Sequence, residues 1–214
     1  MVRNLSINLK KSHRISDRSR ARLLILASIS PRRHKLLAEA GYNFESIAPQ
    51  IGERSIGGLT VRELTLRNAI RKALAVARAH PDAVVLAADT LVALDHRIIG
   101  KPTNLDHAFA ILRALSGQTH VVCSSVVICH LRSGQFRTFH EISYVRFKKL
   151  SDQRIRDYFS KINPLDKAGA YAAQGRGAEI IQKIEGSYTN VVGLPMEETI
   201  RVLRRFGIAS RECR

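Results

Sequence analysis

Short apolar runs alternate along the chain with segments in which apolar residues recur every three or four positions. Residues 23–27 (LLILA) and 83–88 (AVVLAA) are continuous apolar runs, which is typical of buried strands. Residues 60–79 have helical spacing, with apolar side chains on one face. Because strands and helices intermix along the chain, the pattern predicts an α/β fold with a mixed sheet rather than separate helical and strand blocks.

The same patterns predict the remaining elements. Strands are expected at residues 44–49, 120–130 and 139–147 and within 163–186, and helices at 105–115, 151–162 and 197–206. The strand at 83–88 is expected to end at Asp89, and residues 97–102 are expected to form a turn. A length of 214 residues suits one large domain or two lobes that share a core.

The first strand leads into a turn with the composition of an anion site. Ser30 is a favourable N-cap and Pro31 a favourable first helical residue, so a helix is expected to begin there and to end at Gly41. The free N–H groups and the dipole of its first turn attract anions, and Arg32 and Arg33 add guanidinium groups suited to phosphate oxygens. A capped helix with a solvated arginine pair explains this segment equally well, so both interpretations stay open.

The net charge of +17 is unevenly distributed. Residues 1–22 contain seven Lys or Arg against one acid, Asp17, and lack helical or strand periodicity. We therefore expect a basic N-terminal arm over residues 1–22, outside a folded domain of residues 23–210. The arm has the composition of an organelle transit peptide, whereas a secretory signal is disfavoured because its apolar core would be too short. Such charge attracts polyanions in general, so nucleotides, nucleic acid and anionic lipid all stay possible on this count.

Two bulk features bear on the location of the protein. No apolar stretch reaches the roughly 18 residues that are needed to cross a bilayer. The three cysteines, Cys123, Cys129 and Cys213, show no Cys-x-x-Cys spacing, which argues against a disulfide framework or a structural zinc site. We therefore expect a protein of the cytoplasm, a reducing compartment, without a membrane span.

Candidate chemistry is concentrated at a few places. Asp89 follows an apolar strand, where a carboxylate is well placed to bind a metal or a water, although a turn aspartate would look the same. Lys101, in a Gly-Lys-Pro turn, supplies a cation of the kind that a polyphosphate requires. The small residues of 166–177 allow close backbone approach to a ligand, and the amides of Gln174 and Asn190 can hydrogen-bond a base; ordinary tight loops are the alternative. The sequence contains no histidine metal spacing, no G-x-S-x-G elbow and no P-loop.

Five segments together resemble one family. They are LASISPRRHKLL, AADTLVALDHRIIGKP, LSGQTHVV, DKAGAYAAQG and GSYTNVVGLP, in this order over about residues 23–207. They are similar to the Maf family of nucleoside triphosphate pyrophosphatases. The resemblance implies an elongated mixed α/β structure with two lobes around a deep cleft, similar to the inosine triphosphatase fold. It also implies cleavage of the α–β phosphoanhydride with a divalent cation, Mg²⁺ or Mn²⁺, and a homodimer.

The resemblance implies roles for particular residues. Asp89 would be the proton acceptor that activates water, or a ligand of the metal, and Glu53 would be a second acid at the metal. The residues implied to hold the triphosphate are Ser28, Arg32, Arg33, Lys72 and Lys101. The residues implied to set specificity are Arg32, Thr90 and Gln174, a trio that resembles the branch acting on dTTP and UTP. The branch acting on 7-methyl-GTP tends to have Gln and Glu at the last two positions.

Three places depart from the family pattern, and the arm at residues 1–22 lies outside it. Ile29 stands in place of the usual Gly, which requires a backbone conformation that isoleucine can adopt. Gly52-Glu53-Arg54 replaces the usual Asp-Glu pair, which removes a carboxylate and adds a cation beside the expected metal site. Asn163 stands where an acid is common. The first departure therefore lies in the turn that is expected to bind phosphate, and the second lies beside the expected metal site.

Two other classes of function are compatible with parts of the sequence. The charge and the arm suggest nucleic-acid binding, but aromatic residues are only 6% of the chain and are not interleaved with basic ones. Weak nonspecific binding through the arm is therefore the form expected. A cell-division regulator without catalysis is the other alternative. A metal-dependent hydrolase of dTTP and UTP is favoured, because phosphoryl transfer needs chiefly positioning and several cations beside a carboxylate.

Overall fold

A computed structural model describes residues 22–51 and 57–211 of the chain. The strands are β1 (Leu24–Leu26), β2 (Glu45–Ser46), β3 (Val84–Leu94), β4 (Arg97–Ile99), β5 (Thr119–His130), β6 (Gln135–Phe147) and β7 (Ile181–Glu185). The helices are α1 (Pro31–Glu39), α2 (Val61–Ala77), α3 (Leu105–Leu115), α4 (Asp152–Phe159), α5 (Gly177–Ile180), α6 (Tyr188–Val192) and α7 (Met196–Arg205). Residues 1–21 and 52–56, which include Glu53 and nearly all of the expected arm, lie outside the described residues.

The described strands form one mixed sheet in the order β2-β1-β3-β5-β6-β7, with β4 paired to β3. Strand β1 runs parallel to β2 and β3, whereas β3, β5, β6 and β7 are successively antiparallel. The predicted α/β class and the mixed sheet are therefore confirmed. Among the helices of the described chain, none is long and apolar enough to cross a bilayer.

Local sequence signals place α1 and α2 correctly, whereas the short helices α5 and α6 were not predicted. Ser30 caps α1 by accepting a hydrogen bond from the backbone N–H of Arg33, with Pro31 as the first helical residue. Thr60 and Glu63 form a reciprocal capping box at the start of α2. Capping residues act within one turn of the helix, so these starts can be recognised without knowledge of the tertiary structure.

Strand β3 is longer than the sequence indicated. It continues through Asp89 to Leu94, so the expectation that the strand ends at Asp89 was wrong, and part of the expected turn at 97–102 is strand β4. Residues 85–93 of β3 pair with β5, so the strand continues through the polar residues Asp89 and Thr90. Asp95 and His96 have positive φ and close the hairpin to β4 without the glycine that usually marks such a turn.

A gap beside β3 creates the site. On one edge of β3, β1 pairs with residues 84–86 and β4 pairs with residues 92–94. Within the described residues, positions 87–91 therefore have no strand neighbour on that edge, although β5 pairs with them on the other. Asp89 and Thr90 lie in this gap. Because side chains alternate along a strand, these two residues face opposite sides of the sheet.

Two clusters of buried side chains lie at opposite ends of β3. One packs α1 and α7 against the start of the strand, around Leu26, Leu86 and Phe206. The other packs α3 and α4 against its far end, around Val92 and Phe147. A third cluster lies beneath α2, on the other face of the sheet. The gap at residues 87–91 lies between the first two clusters, which matches the expected pair of lobes around a cleft.

Candidate active site

A cavity of about 510 Å³ opens at the gap beside β3. Seven of the residues singled out from the sequence line it: Ser28, Arg32, Arg33, Lys72, Asp89, Thr90 and Lys101. Gln174 is half-buried beside Ala173, which lines the cavity, but is not itself a lining residue. A wider groove between α3 and α4 contains none of these residues. The structure therefore brings most of the predicted site together.

Asp89 is held by two side chains of α2. The Lys72 ammonium donates to Oδ1 at 2.6 Å, and the Asn68 amide donates to Oδ2 at 3.1 Å. Asn68 and Lys72 are four residues apart, which places both on the face of α2 that meets the sheet. Asp89 is 4% exposed and Lys72 9% exposed, so solvent screens this ion pair only weakly. The carboxylate is thereby fixed in orientation at the wall of the cavity.

Arg33 is fixed on the opposite face of β3. Its Nε donates to the Gly193 carbonyl at 2.8 Å, its Nη2 to Thr90 Oγ1 at 2.9 Å and its Nη1 to Ser28 Oγ at 3.4 Å. Three segments that are far apart in sequence therefore hold one guanidinium group. Because the guanidinium group is planar and rigid, these three hydrogen bonds fix the direction of all of its N–H groups.

Arg32 contacts the loop that follows α4. Its Nη1 lies 3.3 Å from Asp166 Oδ2, and its Nη2 lies 3.5 Å from the Asp166 carbonyl. Lys167 donates to the second carboxylate oxygen of Asp166. Partial burial alone would raise the pKa of Asp166, but the hydrogen bond and charge of Lys167, together with Arg32, hold it below its usual value. The ion pair between Arg32 and Asp166 therefore links α1 to this loop at the lining of the cavity.

The serine turn fits isoleucine at position 29. Ser28 Oγ accepts from the backbone N–H of Ser30 at 3.1 Å, which closes the turn before α1. Ile29 does not have a positive φ, so the turn does not require glycine. Its side chain is 81% exposed at the edge of the cavity. The departure from the family pattern therefore changes the surface of the cavity rather than the path of the backbone.

Over residues 23–206 the chain matches the family described as Maf-like protein. The chain belongs to the Maf family. A relative from Pelotomaculum thermopropionicum, named dTTP/UTP pyrophosphatase, is 43% identical over 184 residues, covering 86% of this chain and 96% of the relative. Relatives of the same name from Symbiobacterium thermophilum and Acinetobacter baylyi are 43% and 44% identical, covering 86% and 84% of this chain and 94% and 97% of their own lengths.

Several residues of the Maf site were missed in the sequence. Asn68, Ser124 and Asp166 contact Asp89, Thr90 and Arg32 respectively. The helical spacing from Lys72 could have indicated Asn68, since both lie on one face of α2. No local signal indicates Ser124, because its contact with Thr90 depends on the register between β3 and β5.

Two polar side chains of this Maf protein are structural. The Asn190 amide is fully buried and donates to the Val122 carbonyl and to Ser143 Oγ, so it anchors α6 to the sheet rather than facing a ligand. His120 shares a hydrogen bond with the hydroxyl of Tyr171, which lines the cavity. Burial lowers the pKa of His120 to about 4, so its ring is neutral near pH 7 and adds no cation to the site.

Proposed function

We propose that this Maf protein hydrolyses dTTP and UTP to the nucleoside monophosphate and pyrophosphate. The observation that carries the proposal is a fixed carboxylate, Asp89, beside a cavity that is also lined by five cations: Arg32, Arg33, Lys72, Lys101 and Lys167. Relatives that cover the same part of the chain carry the name of this activity. Closely spaced cations stabilise the charge of a triphosphate, and a carboxylate can accept the proton of an attacking water.

The proposed reaction uses these positions as follows. Asp89 accepts a proton from a water that attacks the α-phosphorus. A P–O bond forms to that water, the bond from the α-phosphorus to the bridging oxygen breaks, and pyrophosphate leaves with the negative charge. Arg33 and Arg32 bind phosphate oxygens, and Lys101 adds positive charge at the cavity wall. Because these groups are already positioned before substrate binds, they need little reorganisation during the reaction.

The residues fit a divalent cation that is bound together with substrate. In the described part of the chain, no group of three His, Cys, Asp or Glu residues could hold a metal unaided. Mg²⁺ commonly keeps several waters and is bound by one or two carboxylates plus substrate phosphates, which matches a cavity with Asp89 at its wall. We propose that Asp89 and Glu53 hold Mg²⁺ or Mn²⁺. When bound, the ion would neutralise phosphate charge.

Pyrophosphate release from a panel of canonical and modified nucleoside triphosphates tests the proposal. With Mg²⁺ or Mn²⁺, we expect equimolar monophosphate and pyrophosphate from dTTP and UTP, and little product without the ion. Release of inorganic phosphate instead would place the cleavage at another bond. No turnover of any nucleotide would contradict the enzyme and favour a regulatory protein without catalysis.

Gln174 is proposed to select the base together with Arg32 and Thr90. We expect Gln174→Glu to lower kcat/KM for dTTP and UTP about tenfold or more, because the amide donor is lost and a negative charge is added beside a polyanion. The matched control is Gln182→Glu on β7, an exposed residue that bonds Arg146. An unchanged substrate profile in Gln174→Glu would remove Gln174 from the specificity residues.

The remaining expectations concern the whole chain. We propose a cytoplasmic homodimer in which residues 23–210 form the catalytic domain and residues 1–22 an arm with weak nonspecific affinity for nucleic acid. The described thiols, Cys123 and Cys129, are free, as a reducing compartment favours. Light scattering during gel filtration gives the oligomeric state. Deleting the arm should abolish salt-sensitive binding to RNA while leaving turnover unchanged.

A further inference from the structure

The hydroxyl of Thr90 is part of a chain of hydrogen bonds. Thr90 Oγ1 lies 2.9 Å from Arg33 Nη2 and 2.8 Å from Ser124 Oγ. Ser124 Oγ in turn lies 3.1 Å from the Asn190 carbonyl. Ser124 is fully buried, directly across from Thr90 in the ladder between β3 and β5. The chain therefore connects the cavity wall to the interior of the protein.

Chemistry fixes the direction of every bond in this chain. A guanidinium group can only donate and a carbonyl can only accept. Ser124 therefore gives its single proton to the Asn190 carbonyl and accepts the proton of Thr90, which itself accepts from Arg33. The Gly193 carbonyl, at 3.3 Å, is a longer alternative for the Thr90 proton. In the observed arrangement, the Thr90 proton is used inside the protein and is not available to a substrate.

The far end of the chain is rigidly held. Asn190 lies in α6, and its side-chain amide donates to the Val122 carbonyl of β5 at 3.1 Å and to Ser143 Oγ of β6 at 2.9 Å. Gly193 directly follows the same short helix, and its carbonyl accepts from Arg33 Nε. Two attachments of Arg33 therefore trace back to α6, one directly and one through Ser124 and Thr90.

We propose that Ser124 and Thr90 are positioning residues that orient the Arg33 guanidinium toward the phosphates, so that Thr90 influences substrate use through Arg33 rather than by touching the base. The inference rests on the proposed function in taking the triphosphate as the ligand of Arg33. Ser124 thereby gains a role, and the effect of Thr90 on substrate use is assigned to its contact with Arg33 rather than to a contact with the base.

Removing the Ser124 hydroxyl has a definite consequence. In Ser124→Ala, the Thr90 proton loses its acceptor and turns to the Gly193 carbonyl, the remaining acceptor within reach. That carbonyl already accepts from Arg33 Nε, so the two donors compete for it. Arg33 is then held less firmly. A misplaced binding group of this kind is expected to lower kcat/KM about tenfold to a hundredfold.

Binding of inorganic tripolyphosphate, a probe that has no base, tests the proposal. Calorimetric titration in Mg²⁺ compares the wild type with Ser124→Ala, Thr90→Val, Thr90→Ser and the double variant Ser124→Ala/Thr90→Val. Thr90→Val keeps the shape of the side chain and removes the hydroxyl, whereas Thr90→Ser keeps the hydroxyl. The matched control is Ser125→Ala, a neighbouring buried serine that bonds Thr65 on the other face of the sheet.

The expected result is weaker tripolyphosphate binding in Ser124→Ala and Thr90→Val, by similar factors, with near wild-type binding in Thr90→Ser and Ser125→Ala. The double variant should be no worse than Thr90→Val, because both changes break one chain. Unchanged tripolyphosphate affinity in Ser124→Ala and Thr90→Val would overturn the inference. Additive losses of affinity in the double variant would also overturn it, as would a wild type that does not bind tripolyphosphate. Tripolyphosphate binding needs no turnover, so a failure of the proposed function would show separately, as binding without pyrophosphate release.

Discussion

Replacing Asp89 with asparagine is expected to lower kcat for dTTP and UTP by about 10²–10⁴-fold, the range found for loss of a general base. Asparagine has nearly the same shape and keeps an oxygen that can accept from Lys72 or Asn68, but it cannot take up the proton of an attacking water. Binding of dTTP, measured by calorimetry, should persist. The comparison therefore separates loss of chemistry from loss of the binding site.

Two further measurements make the Asp89→Asn experiment decisive. Thermal unfolding sets an assay temperature at which the variant is folded, because Lys72 loses its charged partner. Mn²⁺ binding, followed by electron paramagnetic resonance, tests the metal role separately: a lost Mn²⁺ affinity supports Asp89 as a metal ligand, and an unchanged affinity leaves it as the proton acceptor alone. Substantial residual turnover in Asp89→Asn would contradict both roles.

Replacing Lys72 with methionine is expected to destabilise the fold by about 3–5 kcal/mol and to reduce turnover strongly, because it leaves the carboxylate of Asp89 buried without its cation. The pair lies between α2 and β3, with side chains only 11% and 6% exposed, so solvent replaces the lost partner only in part. The free energy of unfolding in urea and pyrophosphate release from dTTP measure the two effects.

Two comparisons isolate the buried charge as the cause. In Lys72→Met/Asp89→Leu, both charges are removed, so most of the lost stability should return while turnover stays absent. Arg132→Met breaks an exposed ion pair with Asp82, far from the cavity, and should change little, since such pairs contribute little to stability. A Lys72→Met protein as stable as the wild type would show that the pair does not support the fold.

The stability and the chemistry of this protein therefore depend on the same contact. The Lys72–Asp89 pair ties α2 to β3 and at the same time fixes the carboxylate at the cavity wall. Isoleucine is tolerated at position 29 beside the cavity, because its side chain is exposed and its φ is not positive. Positions such as Asp89 and Ser124 have less freedom, because each is buried and hydrogen-bonded to a neighbouring element.

The sequence by itself determined the elements whose signals are local. The apolar run before Ser28 predicts β1, and Ser30 with Pro31 predicts the start of α1, because capping and strand burial act on neighbours within a few residues. Most of the residues that line the cavity were also singled out from the sequence, and the polyphosphate site that they predict stays a proposal. Five motifs in family order indicated the family over about residues 23–207, and the match to the family over residues 23–206 confirms it.

Only the tertiary structure decided how Asp89 is presented. The sequence predicted a strand end, but β3 continues through its ladder with β5 to Leu94, and the access of the buried Asp89 to the cavity comes from the gap between β1 and β4. The partners of Asp89 and of Arg33 come from elements 17 and 160 residues away in sequence. Strand register and helix docking bring such residues together, and no pattern within a few residues of Asp89 or Arg33 records those distant contacts.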